Sequence, residues 1–123
     1  MMNIGLTHTS VLLVSDAHTA QAMGSGDMPV LATPVMIALM ENAAMLAVDQ
    51  TLPPEQTTVG AHIDVSHLRP TPVGAEVIAT AELTDVDDRR LTFHVVAMQD
   101  DRVIGEGTHV RFIVDRDRFL SKL

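Results

Sequence analysis

Thr33-Pro34-Val35-Met36-Ile37-Ala38-Leu39-Met40-Glu41-Asn42-Ala43-Ala44-Met45-Leu46-Ala47-Val48-Asp49 is the stretch whose reading decides the fold. Threonine is a favoured N-cap, and proline in the first turn gives up an amide that would be unpaired there anyway. The pattern predicts a helix capped by Thr33 that runs to about Gln50 or Leu52, because Pro53-Pro54 cannot continue it. Apolar side chains leave hardly any polar face, so this helix has to be enclosed rather than lie on a surface. Only Glu41, Asn42 and Asp49 interrupt it, and Asp49 is close enough to the end to be solvated. Glu41 and Asn42 sit mid-helix and need partners. Positions 37, 38, 44 and 45 are Ile, Ala, Ala and Met, so nothing on the helix itself neutralises Glu41.

Downstream, Thr57 to His67 alternates in character. Val59, Ala61, Ile63, Val65 and His67 share one parity, and Thr58, Gly60, His62, Asp64 and Ser66 share the other. One apolar and one polar face is the pattern of a strand with a helix packed on one side, with His67 closing the apolar face and His62 pointing outward. Arg69-Pro70-Thr71-Pro72-Val73-Gly74 ends that strand. Three more strands follow at hairpin spacing, Glu76 to Val86, Leu91 to Gln99 and Val103 to Val114, joined by the short polar turns Asp87-Asp88-Arg89-Arg90 and Asp100-Asp101. Upstream, residues 5–14 read as a strand. Asp16 to Met28, with Gly24-Ser25-Gly26-Asp27 inside it, reads as a loop or short helical lid. The tail from Asp115 to Leu123 reads as a short terminal turn. One strand, one long apolar helix and four consecutive antiparallel strands make an α+β chain in which a curled sheet wraps the helix. This is the layout of a hotdog fold. No repeat, linker or low-complexity segment divides residues 1–123, which read as a single domain.

Composition removes several classes of function. Sixteen acidic against eight basic side chains give a formal charge of -8, and there is no Trp or Tyr on which bases could stack, so nucleic acid is not expected as a partner. Cysteine is absent, which excludes disulfides and thiol nucleophiles. No run approaches the roughly 18 apolar residues of a membrane span, and Met1 to Thr9 lacks the character of a signal peptide. A soluble cytoplasmic protein with no membrane partner is the expectation. Phe93, Phe112 and Phe119 are the only aromatics. An aliphatic core of this kind gains from burial between subunits.

Thr33, Glu41 and His67 are the candidates for chemistry. Glu41 in an apolar helix can act as general base or nucleophile. His67 can orient a water, share a proton or donate to an oxyanion, and Thr33 lies beside free helix amides. Against this stand ordinary roles: a cap for Thr33 and a structural strand histidine for His67. Eight residues separate Thr33 from Glu41, about 12 Å of rise and about 80° of rotation, so the two cannot touch within one straight helix. Either they contact different parts of a substrate or a second subunit completes the site.

Five segments together resemble the fluoroacetyl-CoA-specific branch of the hotdog thioesterases. They are Leu31-Ala32-Thr33-Pro34, Met40-Glu41-Asn42-Ala43-Ala44, Thr58-Val59-Gly60, His67-Leu68-Arg69-Pro70-Thr71-Pro72-Val73-Gly74 and Ile104-Gly105-Glu106-Gly107-Thr108-His109-Val110-Arg111. The resemblance implies hydrolysis of an acyl-CoA thioester, with Thr33, Glu41 and His67 matching the family's catalytic set. It also implies that Gly60 lies near the thioester and that Arg111 is a binding residue. No cofactor or metal is implied, and the unit is expected to be a homodimer, with a tetramer as the larger alternative. In that family lid phenylalanines form a fluorine-sensing gate, whereas residues 16–32 here contain no aromatic, so a small or otherwise modified acyl group is the expected substrate. A non-catalytic acyl-CoA-binding protein is the alternative, and an acyl-CoA hydratase ranks lower. His62 and Asp64 share a strand face but lack a third metal ligand. His94 and His109 read as structural residues of the sheet, while Arg69, Arg89 and Arg90 are candidates to meet CoA phosphates.

Overall fold

A computed structural model describes residues 2–123. In chain order the elements are β1 (Thr7–Leu13), a 3-10 turn (Asp16–His18), a single helical turn α1 (Ala20–Met23), α2 (Thr33–Asp49), β2 (Gln56–His67), β3 (Glu76–Asp87), β4 (Arg90–Gln99), β5 (Arg102–Asp115) and α3 (Arg116–Ser121). All five strands form one antiparallel sheet in the order β1-β3-β4-β5-β2.

Alternation in the central strands builds the core. Val77, Ala79, Ala81 and Leu83 of β3 and Leu91, Phe93, Val95 and Ala97 of β4 are fully buried, all turned to one side of the sheet. Against them α2 packs Met36, Met40, Ala43, Ala44, Ala47 and Val48. Alanines on both surfaces let the helix axis come close to the sheet, and Gly105 of β5 makes room for the Met36 thioether. Register shifts in the β2–β5, β3–β4 and β4–β5 pairings add local twist, which curls the sheet around the helix. The expected hotdog layout is present.

Four features depart from the sequence reading. The strands after α2 are consecutive in the chain but not in space: β2 pairs with β5, and β3 pairs with β1. The two prolines between β2 and β3 prevent a hairpin there. That connection instead crosses to the start of α2, where Thr71 accepts from the Leu31 amide and Val30 bridges to Pro72. Secondly, Thr33 is the first helical residue and not the cap. Ala32 occupies the cap position, and the Thr33 hydroxyl bonds His67 instead. Thirdly, a bulge between Gly60 and His62 reverses the parity of β2 midway. Thr58 and Gly60 face inward before it, with Thr58 buried, and Ile63, Val65 and His67 are partly covered after it. Finally, α2 is not enclosed on all sides, since Pro34, Ala38 and Asn42 are exposed along one stripe.

The contact between Gly105 and Met36 is testable. A Cβ at position 105 would lie 2.5 Å from Met36 Sδ and 3.1 Å from the Ser66 carbonyl oxygen. Gly105→Ala is expected to destabilise by about 1–3 kcal/mol, read as a lower urea midpoint. An unchanged midpoint would show that Met36 moves aside at no cost.

Candidate active site

Two clusters emerge, at opposite ends of β2. The first joins the start of α2 to the end of β2: Thr33 Oγ1 and His67 Nδ1 are 2.7 Å apart, in a hydrogen bond whose direction follows the imidazole tautomer. His67 Nε2 is buried without a partner. Burial lowers the His67 pKa, so the ring stays neutral more readily than a free histidine. The Arg69 backbone opposes this in part. Around the pair runs an open groove of about 280 Å³ lined also by Ala20, Ser25, Val30 and Arg69. Within the expected lid, Asp16 to Met28, residues 21–28 are exposed beside it, and the segment is tied at its base by the Ala20 amide donating to the Val30 carbonyl.

The second cluster gathers where β2 bulges. Glu41 projects from α2 toward Gly60, whose missing side chain leaves room for the carboxylate: a Cβ there would lie 2.9 Å from Glu41 Oε2. Arg111 Nη1 stands 3.9 Å from the same oxygen. The guanidinium is buried and held by Thr58, donating from Nε to Thr58 Oγ1 at 2.8 Å and from Nη2 to the Thr58 carbonyl at 3.0 Å. Burial also lowers the Arg111 pKa, with Glu41 opposing, but an arginine stays charged through any such shift. The groove here is about 210 Å³ and includes His62, Ile63 and His109. The Glu41 side chain is 41% exposed and not fully desolvated as its apolar helix suggested. Asn42 has its own partner, accepting from Ser10 Oγ at 2.7 Å.

Thr33 and His67 therefore meet within one chain, and so do Glu41, Gly60 and Arg111. Gly60 and His67 are seven positions apart on β2, roughly 20 Å of strand, and the two grooves share no lining residue. Thr58 and His109 also belong to the Glu41 cluster, Thr58 lying outside the expected site residues and His109 being expected only as a structural residue of the sheet. His109 and Arg111 lie two apart on one strand and so share a face, which was the available signal. His94, by contrast, is an exposed residue that pairs with Glu106 at 2.9 Å. Arg89 reaches Asp115 at 3.6 Å. Among the described residues, no group of three or more His, Asp or Glu is placed to hold a metal ion, and no helix is long and apolar enough to cross a membrane.

Comparison with known proteins agrees with the fold. The model of the fluoroacetyl-CoA-specific thioesterase family matches residues 14–117. A fluoroacetyl-CoA thioesterase of Streptantibioticus cattleyicolor is 39% identical over 94 residues, covering 76% of this chain and 68% of that protein. A solved structure of the fluoroacetyl-CoA thioesterase FlK superposes with a TM-score of 0.92 at 34% identity, covering 99% of this chain and 95% of that one. The fold extends to a thioesterase superfamily member from Thermus thermophilus, with a TM-score of 0.91 at 21% identity over 99% of this chain and 90% of that one. A curled five-stranded sheet, an apolar helix and these matches lead to one assignment: the chain has the hotdog fold and belongs to the fluoroacetyl-CoA-specific thioesterase family.

Proposed function

We propose that this protein hydrolyses the thioester of a small or modified acyl-CoA, with Glu41 as the base or nucleophile. One observation carries the reading: a carboxylate stands over a side-chain-free strand position with a buried guanidinium beside it. A thioester carbonyl laid against the Gly60 backbone would present its carbon to Glu41. Attack by the carboxylate, or by a water that gives its proton to the carboxylate, expels the CoA thiolate. That thiolate takes up a proton, and water supplies the second oxygen of the acid product. Arg111 stabilises negative charge that develops beside Glu41. The neutral His67 ring can take the Thr33 proton or pass one to the leaving group. Arg69, exposed at the rim of the Thr33–His67 groove, is placed to meet a CoA phosphate.

The separation of the two clusters supports a dimer in which Thr33 and His67 of one chain serve Glu41 of the other. Two features favour it. β2 is an edge strand of twelve residues, and long free edges invite pairing. The uncovered stripe of α2 lies on the same side of the helix as Glu41, since positions 34, 38, 41 and 42 follow helical spacing.

Four outcomes are expected. In a free-thiol assay over acetyl-, fluoroacetyl-, branched and aryl-acyl thioesters, Glu41→Gln should lower kcat by about 100-fold or more. Fluoroacetyl- and acetyl-CoA should give similar kcat/KM, because the lid offers no aromatic to sense fluorine. Normal binding with no thiol release by the wild type would instead assign a binding module. Subunit exchange between inactive Glu41→Gln and His67→Ala dimers should restore about a quarter of wild-type activity, since one shared site in half of the dimers is intact; no recovery would place each site within one chain. In the pH profile of kcat/KM, the limb due to His67 should fall below the ordinary histidine value of about 6.5, as protonation removes its free lone pair. A limb that His67→Asn leaves unmoved would contradict this.

A further inference from the structure

Among the described residues, His109 is a buried ionisable group to which the expected catalytic set gives no task. It is 1% exposed, and its Nδ1 lies 2.7 Å from the His62 carbonyl oxygen at the β2 bulge. A carbonyl only accepts, so the Nδ1 atom carries the proton. Burial lowers the ring's pKa and Arg111 adds to the effect, while the His62 carbonyl and Glu41 oppose it. The neutral ring then presents a bare Nε2 lone pair, and Arg111 Nη1 donates to it across 3.3 Å. Arg111 is thereby fixed at three points, two on Thr58 and one on His109. The same Nη1 is 3.9 Å from Glu41 Oε2, close enough for charge to act and too far for a hydrogen bond.

We propose that His109 is a positioning residue which holds Arg111 beside Glu41 without letting the two close into a hydrogen-bonded ion pair, leaving the carboxylate lone pairs free for the reacting group. This rests on the reading of Glu41 as the base or nucleophile. The side chain at 109 has to be a neutral acceptor. A carboxylate would draw the guanidinium away from Glu41, and an apolar residue would release it to close the remaining gap. Imidazole meets the condition only in its Nδ1–H form, and the His62 carbonyl selects that form. The ionisable groups facing the ring are His62 on β2, Glu41 on α2 and Arg111 on β5. From β4 comes the uncharged Phe93 ring, at a centroid distance of 6.3 Å.

The test combines a mutant cycle with a measurement on the unaltered protein. His109→Leu is expected to lower kcat about 10- to 100-fold, with KM within about twofold of wild type. His109→Gln, whose amide oxygen can accept from Nη1, should recover most of that loss. On an Arg111→Met background, His109→Leu should add less than about a twofold further effect, because it acts through the arginine. Additive losses, no rescue by glutamine or wild-type kcat in His109→Leu would each overturn the proposal. Nitrogen-15 NMR of the wild-type protein should show His109 as the neutral Nδ1–H tautomer between about pH 6 and 8. An Nε2–H tautomer or an imidazolium would overturn it even if the variants failed to fold. Absence of thiol release from the wild type would defeat the thioesterase reading instead, and the tautomer measurement would still decide the geometry.

Discussion

The close approach of α2 to the sheet is the constraint on which the rest of the structure depends. Alanines on the helix and on β3 and β4 set it, and the bulky methionines fill the space that remains. A helix held this near places residue 41 within reach of the β2 backbone, and only because position 60 has no side chain to intervene. Larger residues at those alanine sites would lift the helix and withdraw the carboxylate. Packing and chemistry are thus set by the same few small side chains.

The second organising element is an irregularity. The β2 bulge allows a single strand to turn Thr58 and Gly60 inward before it and His67 inward after it, although Gly60 and His67 are offset by seven positions, an odd number. In a regular strand those two positions would face opposite sides of the sheet. The carbonyl at the bulge also serves as the acceptor for His109. One extra residue therefore re-aims the strand and fixes a tautomer.

Much of this was legible in the sequence, for identifiable reasons. Pro34 and Pro53-Pro54 bracket the helix, and the alternation of β3 and β4 reports burial directly, so the elements and the hotdog layout could be read. The hairpins were readable because Asp88 and Asp100, both at positive φ, belong to the residue types that tolerate that conformation. Strand order was not readable, since nothing local states that β2 pairs with β5 across two intervening strands. The bulge escaped because Ala61 suits a regular strand as well as an irregular one. Thr33 illustrates the same limit: its type suited a cap, and only the fold reveals a histidine 34 residues away taking its hydroxyl. Glu41 posed a question whose answer, Arg111, lay on the last strand.

The placement of both clusters on an edge strand has a consequence for how such a protein is regulated. In the proposed dimer, Thr33–His67 of one chain and Glu41–Arg111 of the other would form a shared site only while the two chains are associated. Activity would then follow mass action, falling faster than concentration below the dissociation constant of the pair. A cell that lowered the amount of this chain would lose function more steeply than it lost protein. The supply of the chain would itself act as a threshold.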